Sequence, residues 1–261
     1  MRFLYSLLLF LVPILGVWTF VKADDWHCWF PQNVSSFGGE IDGLFDLIMY
    51  MVGFTFIVTE GALAWFVFKY SKARGDKGVF THGNHKLEMF WTAIPALALL
   101  FIAFTQMKTW ADIKFEKNFP RGGTYTREKP IAEVLASQFD WRFRYPGDDG
   151  VMGTVDDLEN SFEFVVPVDT DIVFDLRSRD VIHSFFVPEF RLKQDALPGH
   201  TIPMWFRATK TGIYDLVCAE LCGWGHYKMA GRVRVVSEAD YQRWQAELKS
   251  KWFSNGTEER Q

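Results

Sequence analysis

The chain has 261 residues, 49% of them hydrophobic and 17% aromatic, with 32 acidic and 28 basic side chains and a formal net charge of −4. Apolar content this high at so small a net charge excludes disorder, and the lack of a basic field argues against nucleic acid as a partner. The cysteines number three, too few for a disulfide scaffold.

The mean hydropathy of −0.02 averages two unlike halves. Three apolar runs fall in the first 107 residues: Phe3 to Val21, Leu44 to Phe68, and Phe90 to Met107. Each is close to or above the roughly 20 residues that a helix needs to cross a bilayer. Glu60 interrupts the second run and Pro95 the third; proline is tolerated in a membrane helix, and an ionisable group there is a functional hypothesis. The first run reads two ways. Arg2, the apolar stretch and Val21-Lys22-Ala23 ahead of Asp24 fit a signal peptide, while the length of the stretch fits a retained membrane helix.

Between the second and third runs, Lys69, Lys72, Arg74, Lys77 and Lys86 face a single Asp76. That bias places loop 69–86 in the cytoplasm and everything after the third run outside. Residues 108–261 carry 21 basic and 24 acidic side chains, as a weakly acidic external domain would. Here the pattern changes to period two. Ile131 to Tyr145, Ser161 to Leu176, Ile202 to Cys218 and Gly231 to Val236 are β-branched and aromatic, divided by turn signals at Pro146-Gly147, Pro198-Gly199 and Thr211-Gly212. Short strands spaced by turns predict one antiparallel β-sandwich or barrel. Ser237-Glu238-Ala239-Asp240 predicts a capped final helix. The expected division is 1–23 signal peptide or first membrane helix, 24–43 external segment, 44–107 membrane hairpin, 108–130 linker, 131–236 β-domain, and 237–261 helix and tail.

The chemistry concentrates in Cys218-Ala-Glu-Leu-Cys222-Gly-Trp-Gly-His226-Tyr-Lys-Met229. Two thiols, an imidazole and a thioether on one short loop before a final strand form a soft donor array that suits copper rather than magnesium, calcium or manganese. Three readings stay open at this point: a copper site, a Cys218–Cys222 disulfide in an external compartment, and a zinc site of two cysteines and two histidines, which leaves Met229 without a role. The second histidine is expected to be His183, at the end of a predicted strand and among apolar residues, where an unpartnered imidazole is costly. A core histidine satisfied by hydrogen bonds is the alternative. Cys28 has no assignable role.

These residues resemble subunit II of the haem-copper cytochrome c oxidases. The resemblance covers about residues 31–250 and rests on the Cys218 to Met229 loop, on Asp180-Val-Ile-His183-Ser through Leu192-Lys-Gln-Asp-Ala-Leu-Pro-Gly199, and on Leu87-Glu88-Met-Phe-Trp-Thr-Ala-Ile-Pro95. It implies a membrane-anchored, all-β protein: a transmembrane helical hairpin followed by a cupredoxin-like Greek-key sandwich holding the binuclear copper centre CuA. Cys218 and Cys222 would bridge the coppers, His183 and His226 would each bind one, Met229 would bind one, and Glu220 would give its backbone carbonyl to the other. The Glu220 carboxylate would reach a magnesium shared with subunit I, and Glu88 matches an acidic residue near a proton channel; a helix N-terminal carboxylate favoured by the macrodipole is the plain alternative.

The aromatic stretch Gln138 to Tyr145 carries Phe139 where many members have the tryptophan thought to receive electrons, leaving Trp141 or another exposed aromatic as the substitute. The implied function is to accept electrons from cytochrome c and pass them to haem in subunit I, for oxygen reduction coupled to proton pumping. Subunit I, subunit III, the cytochrome and membrane lipid are the implied partners, in a bacterial-type or mitochondrial inner membrane with the copper domain on the outer side. No C-x-x-C-H haem motif occurs, so the donor is a separate protein; Asp148, Asp149, Asp156, Asp157 and Glu159 are candidates to steer it. A CuA subunit of nitric or nitrous oxide reduction and a membrane-anchored copper carrier or zinc protein are the competing readings. A quinol oxidase is disfavoured because the copper donors are all present.

Overall fold

The computed structural model describes residues 2–25, 29–70, 80 and 82–258. Cys28 and residues 71–79 of the loop expected in the cytoplasm lie outside the described residues. The apolar runs form three helices, α1 (Arg2–Asp25), α2 (Gly38–Tyr70) and α3 (His85–Lys114), all long and apolar enough to cross a membrane. Their side chains are mostly exposed, as expected of helices that meet lipid or partner helices in place of water. Gly16 lets α1 approach α2: a Cβ there would lie 3.3 Å from the Phe56 ring. Asn84 caps α3, accepting from the Leu87 amide at 3.2 Å. The helix continues through Lys114 into residues expected to be linker, followed by a single 3-10 turn at Glu116–Asn118.

Ten strands make the β-domain: β1 (Ala132–Ser137), β2 (Asp140–Tyr145), β3 (Leu158–Ser161), β4 (Glu163–Pro167), β5 (Ile172–Ser178), β6 (His183–Val187), β7 (Leu192–Ala196), β8 (Ile202–Phe206), β9 (Gly212–Cys218) and β10 (Ala230–Val236). They form two five-stranded sheets, ordered β3-β2-β1-β5-β8 and β4-β10-β9-β6-β7. The expected purely antiparallel sandwich needs correction. Among the described residues β1 pairs with β5 and β10 with β4 in parallel, because the chain crosses between sheets instead of meandering within one.

Alternation does the sorting. In β2, Trp141, Phe143 and Tyr145 are buried while Arg142 and Arg144 reach the half-exposed face, so a one-residue slip would invert the whole strand. Phe143 stacks on Phe164 at 5.1 Å, and Phe174 and Phe206 meet Phe164 edge-on. Tyr145 donates from its hydroxyl to the Val165 carbonyl and accepts from the Val165 amide at 2.8 Å, which keeps a polar atom satisfied inside the core.

Residues 30–41, read from sequence as part of an external segment, belong to the same compact unit as residues 109–261. Val34 and Phe37 are buried, the Val34 amide donates to Glu189 O, and the Thr209 amide donates to Val34 O. On the other flank, the Trp205 indole donates to Asp112 O at 3.2 Å and the Lys114 ammonium to Lys193 O at 2.9 Å. Helix α4 (Glu238–Glu258) closes the chain. Ser237 caps it by accepting from the Asp240 amide at 3.2 Å, and Tyr241 and Trp244 lay its apolar stripe against the sheets.

Candidate metal centre

Strand pairing brings the donors together. Phe185 of β6 sits opposite Cys218 of β9, so His183, the first residue of β6, lies beside the last residue of β9. His183 thus stands at the N-terminal end of β6, after a bend at 179–181. The ligand loop leaves β9 at Cys218 and re-enters β10 at Ala230, with a 3-10 turn at His226–Lys228. The Cys218 amide donates to Met229 O and the Ala219 amide to Ser184 O, which ties both ends of the loop to the sheet.

The sulfurs of Cys218 and Cys222 are 3.9 Å apart, far beyond a disulfide bond, and both thiols are free. His183 Nδ1 is 3.9 Å from Cys218 Sγ, His226 Nδ1 is 3.7 Å from Cys222 Sγ, and Met229 Sδ is 3.7 Å from Cys222 Sγ. The Glu220 carbonyl oxygen lies 3.2 Å from Cys218 Sγ. His183, Cys218 and Cys222 converge closely enough to hold a metal ion and are buried, as is Met229. A thioether turned into a buried pair of thiols, with an imidazole against each, is a donor set for copper; tetrahedral zinc would leave Met229 unused.

The surroundings tune these donors. Asp180 accepts from His183 Nε2 at 2.8 Å, which leaves Nδ1 to face the sulfurs, the arrangement usual for metal-binding histidines. The other Asp180 oxygen accepts from the Gln138 amide at 2.8 Å. Burial opposes charge on Asp180, yet these hydrogen bonds prevail and hold its pKa low. At Cys218 burial is likewise outweighed, by hydrogen bonds from His183 and the backbone, and its pKa falls to about 6. Burial and the neighbouring Cys218 charge push Cys222 up to about 11. The Gln138 side-chain amide donates to Cys222 O at 2.6 Å.

Phe139 lies against the ligand loop itself. A Cβ at Gly225 would fall 2.5 Å from the Phe139 ring, and one at Gly223, whose φ is 132°, would fall 2.8 Å from Gln138 Nε2. Trp224, between the two glycines, packs edge-on to Phe139 at 5.2 Å. Trp141 is fully buried, 6.4 Å from the His183 ring centroid, so it is not an exposed aromatic. Glu88 lies in the first turn of α3, 3.7 Å from His85 Nδ1, in the other compact unit. Several acidic candidates for steering have other partners: Asp148 pairs with Lys249, Glu159 with Arg142, and Asp157 is buried, accepting from the Gly153 amide. Sequence reasoning missed Asp180, Gln138 and the two glycines. Asp180 alone had a local signal, a carboxylate three residues ahead of the histidine.

A two-sheet domain that follows apolar helices in the chain, with thiols, imidazoles and a thioether gathered where β6, β9 and β10 meet, defines a membrane-anchored cupredoxin-like copper domain. Two family models match the chain, "Cytochrome C oxidase subunit II, periplasmic domain" over residues 133–236 and "Cytochrome C oxidase subunit II, transmembrane domain" over residues 23–109. The chain belongs to the cytochrome c oxidase subunit II family. It is similar to cytochrome c oxidase subunit 2 of Thermostichus vulcanus, 31% identical over 265 residues covering 84% of this chain and 78% of the relative. It is also similar to alternative cytochrome c oxidase subunit 2 of Bradyrhizobium diazoefficiens, 28% identical over 94% of this chain and 92% of the relative. The crystal structure of the periplasmic domain of subunit II of cytochrome oxidase from Bradyrhizobium japonicum aligns with a TM-score of 0.43 and 31% identity, covering 49% of this chain and 99% of that one.

The protein is thus a membrane-anchored subunit of a haem-copper terminal oxidase, with its copper domain outside the membrane. It works in association with other oxidase subunits, and its part is to admit electrons to the complex.

Proposed function

We propose that the site would hold two copper ions as a CuA centre, with Cys218 and Cys222 as thiolate ligands shared by both, His183 and His226 each binding one, and Met229 and the Glu220 carbonyl completing the set. The observation that carries this reading is the pairing of each thiol with its own imidazole, at 3.9 Å for Cys218 and His183 and 3.7 Å for Cys222 and His226. When bound, such a pair supplies a one-electron acceptor whose charge is shared between two metals.

The chain's own residues keep that acceptor rigid and dry. Asp180 fixes the His183 ring, Gln138 clamps the Cys222 carbonyl, and Trp141, Phe185 and Met229 exclude water from the inner side. Fixed donors lower the rearrangement that accompanies a change of charge, and the surrounding hydrogen bonds set the potential. The donor of electrons is cytochrome c or a similar protein, and the acceptor is haem in subunit I, where oxygen is reduced with proton pumping. Subunit III is a further neighbour.

The exposed Glu220 carboxylate would meet a magnesium shared with subunit I, and Glu88 would sit near a proton-channel mouth. The membrane is a bacterial-type inner membrane or its mitochondrial counterpart. The division of residues 1–261 given above, with loop 69–86 in the cytoplasm, belongs to the same reading.

Copper content and near-infrared absorption of the purified chain test it. Two coppers per chain, with a near-infrared band abolished by Cys218→Ser, are expected. One zinc per chain, or a Cys218–Cys222 disulfide without metal, overturns it.

A further inference from the structure

The ligand loop carries an unusual surface. Leu221, Trp224 and Tyr227 are 78%, 78% and 83% exposed, on a loop whose remaining side chains include the metal donors. Large apolar side chains left in water beside a functional site mark a contact surface. Among them Trp224 alone makes a ring contact inward, to Phe139 at 5.2 Å, and it is two residues from both Cys222 and His226. The glycines on either side let Phe139 lie directly against the loop backbone between Cys222 and His226, and the indole stands outermost over that ring.

We propose that Trp224 is the residue through which electrons enter the site, taking the place left by the phenylalanine at position 139, and that a one-electron haem protein docks on its exposed indole. The inference rests on the copper reading above. In the step, a ferrous haem donor gives up one electron and becomes ferric, the metal site gains that electron, and no bond or proton moves. Lys228 Nζ lies 4.8 Å from the centre of the Trp224 ring. A cation held over the indole face stabilises the neutral ring and opposes its oxidation, so Trp224 couples donor to acceptor without itself becoming a radical. The alternative aromatic, Trp141, is sealed in the core and cannot touch a docked protein.

The test uses the intact oxidase complex with Trp224→Ala and Trp224→Leu, the second keeping apolar cover over Phe139 should the first disturb the loop. Three quantities are measured: the second-order rate of electron transfer from reduced cytochrome c, the rate from hexaammineruthenium(II), which needs no docking surface, and the dissociation constant for redox-inactive zinc-substituted cytochrome c. For both variants the cytochrome c rate is expected to fall about tenfold or more, with a weaker dissociation constant, as for a tryptophan at the centre of an interface. The ruthenium rate and the near-infrared band are expected to stay within about twofold of wild type.

An unchanged cytochrome c rate overturns the proposal, and is the result if another oxidase subunit covers Trp224. A parallel fall in both rates overturns it too, since the residue would then act on the metal site itself. Should the wild-type complex lack the near-infrared band, the copper reading fails by itself, while the zinc-cytochrome dissociation constant still reports on Trp224.

Discussion

Asp180 and His183 form a fixed pair: one carboxylate oxygen accepts from His183 Nε2 at 2.8 Å, while the other accepts from the Gln138 amide at 2.8 Å. The carboxylate therefore orients the imidazole and pins the β1–β2 turn that carries Phe139. Asp180→Asn keeps the shape but removes the charge that favours the Nε2–H tautomer. Copper affinity is expected to fall about 10- to 100-fold, as read by competition with a calibrated chelator. Wild-type affinity in the variant would show that the pair does not position the ligand.

Gly225 is the place where the ligand loop and the Phe139 ring have no room to spare, with a Cβ position 2.5 Å from the ring. Gly225→Ala is expected to displace the loop and deplete bound copper. Because the obstacle is a single side chain, Phe139→Ala in the same molecule should restore much of the metal. A double-mutant cycle on copper content reads that coupling, and strictly additive losses would exclude the steric account.

The thiols predict how copper loading responds to pH. Both must be thiolates to bind metal. With Cys218 held near 6 and Cys222 pushed to about 11, the pair carries one proton between those values and two below pH 6. As the pH is lowered, apparent affinity should therefore drop about tenfold per pH unit because protons compete with metal for the Cys222 sulfur, and more steeply once the pH falls through 6. Chelator competition between pH 5 and 8 checks this, and an affinity independent of pH above 6 would contradict it.

Phe37 tests whether residues 30–41 belong to the β-domain. Its ring is 7% exposed and meets Trp205 edge-on at 5.5 Å. Phe37→Ala should cost about 3 kcal/mol or more, seen as a lower denaturation midpoint of the detergent-solubilised chain. A loss under about 1 kcal/mol would place this segment outside the cooperative core.

The donors were legible because their chemistry is carried by residue type and local spacing. Cys218, Cys222, His226 and Met229 lie within twelve residues of one another, and His183 stood out as an imidazole among apolar residues, where it needs a partner. Helices α2 and α3 were legible from length and hydropathy, and β2 and β10 from alternation. The rest depends on tertiary approach. Four-residue β3 and the parallel β1–β5 and β4–β10 pairs leave no periodic trace. Gly223 and Gly225 read as ordinary loop glycines until Phe139 is seen against them. Trp141 looked available for electron uptake because sequence gives the face of a strand but not which face a second sheet covers. Residues 30–41 have no apolar period at all; Val34 and Phe37 are buried because the sheets offer them a groove.

Those residues also constrain how the protein is made. Ser35 bridges Ala208, so the chain leaves the β-domain just before α2 and returns to it along the end of α3. Under the topology proposed above, with loop 69–86 in the cytoplasm, that path begins and ends on one side of the bilayer, and α2 and α3 would insert as a pair. On that topology Val34 and Phe37, early in the chain, would cross before the sheets that receive them. The site cannot be complete until β10, the partner of both β9 and β4, has followed. Metal delivery is accordingly a late event in assembly, confined to a compartment that the whole domain has already reached.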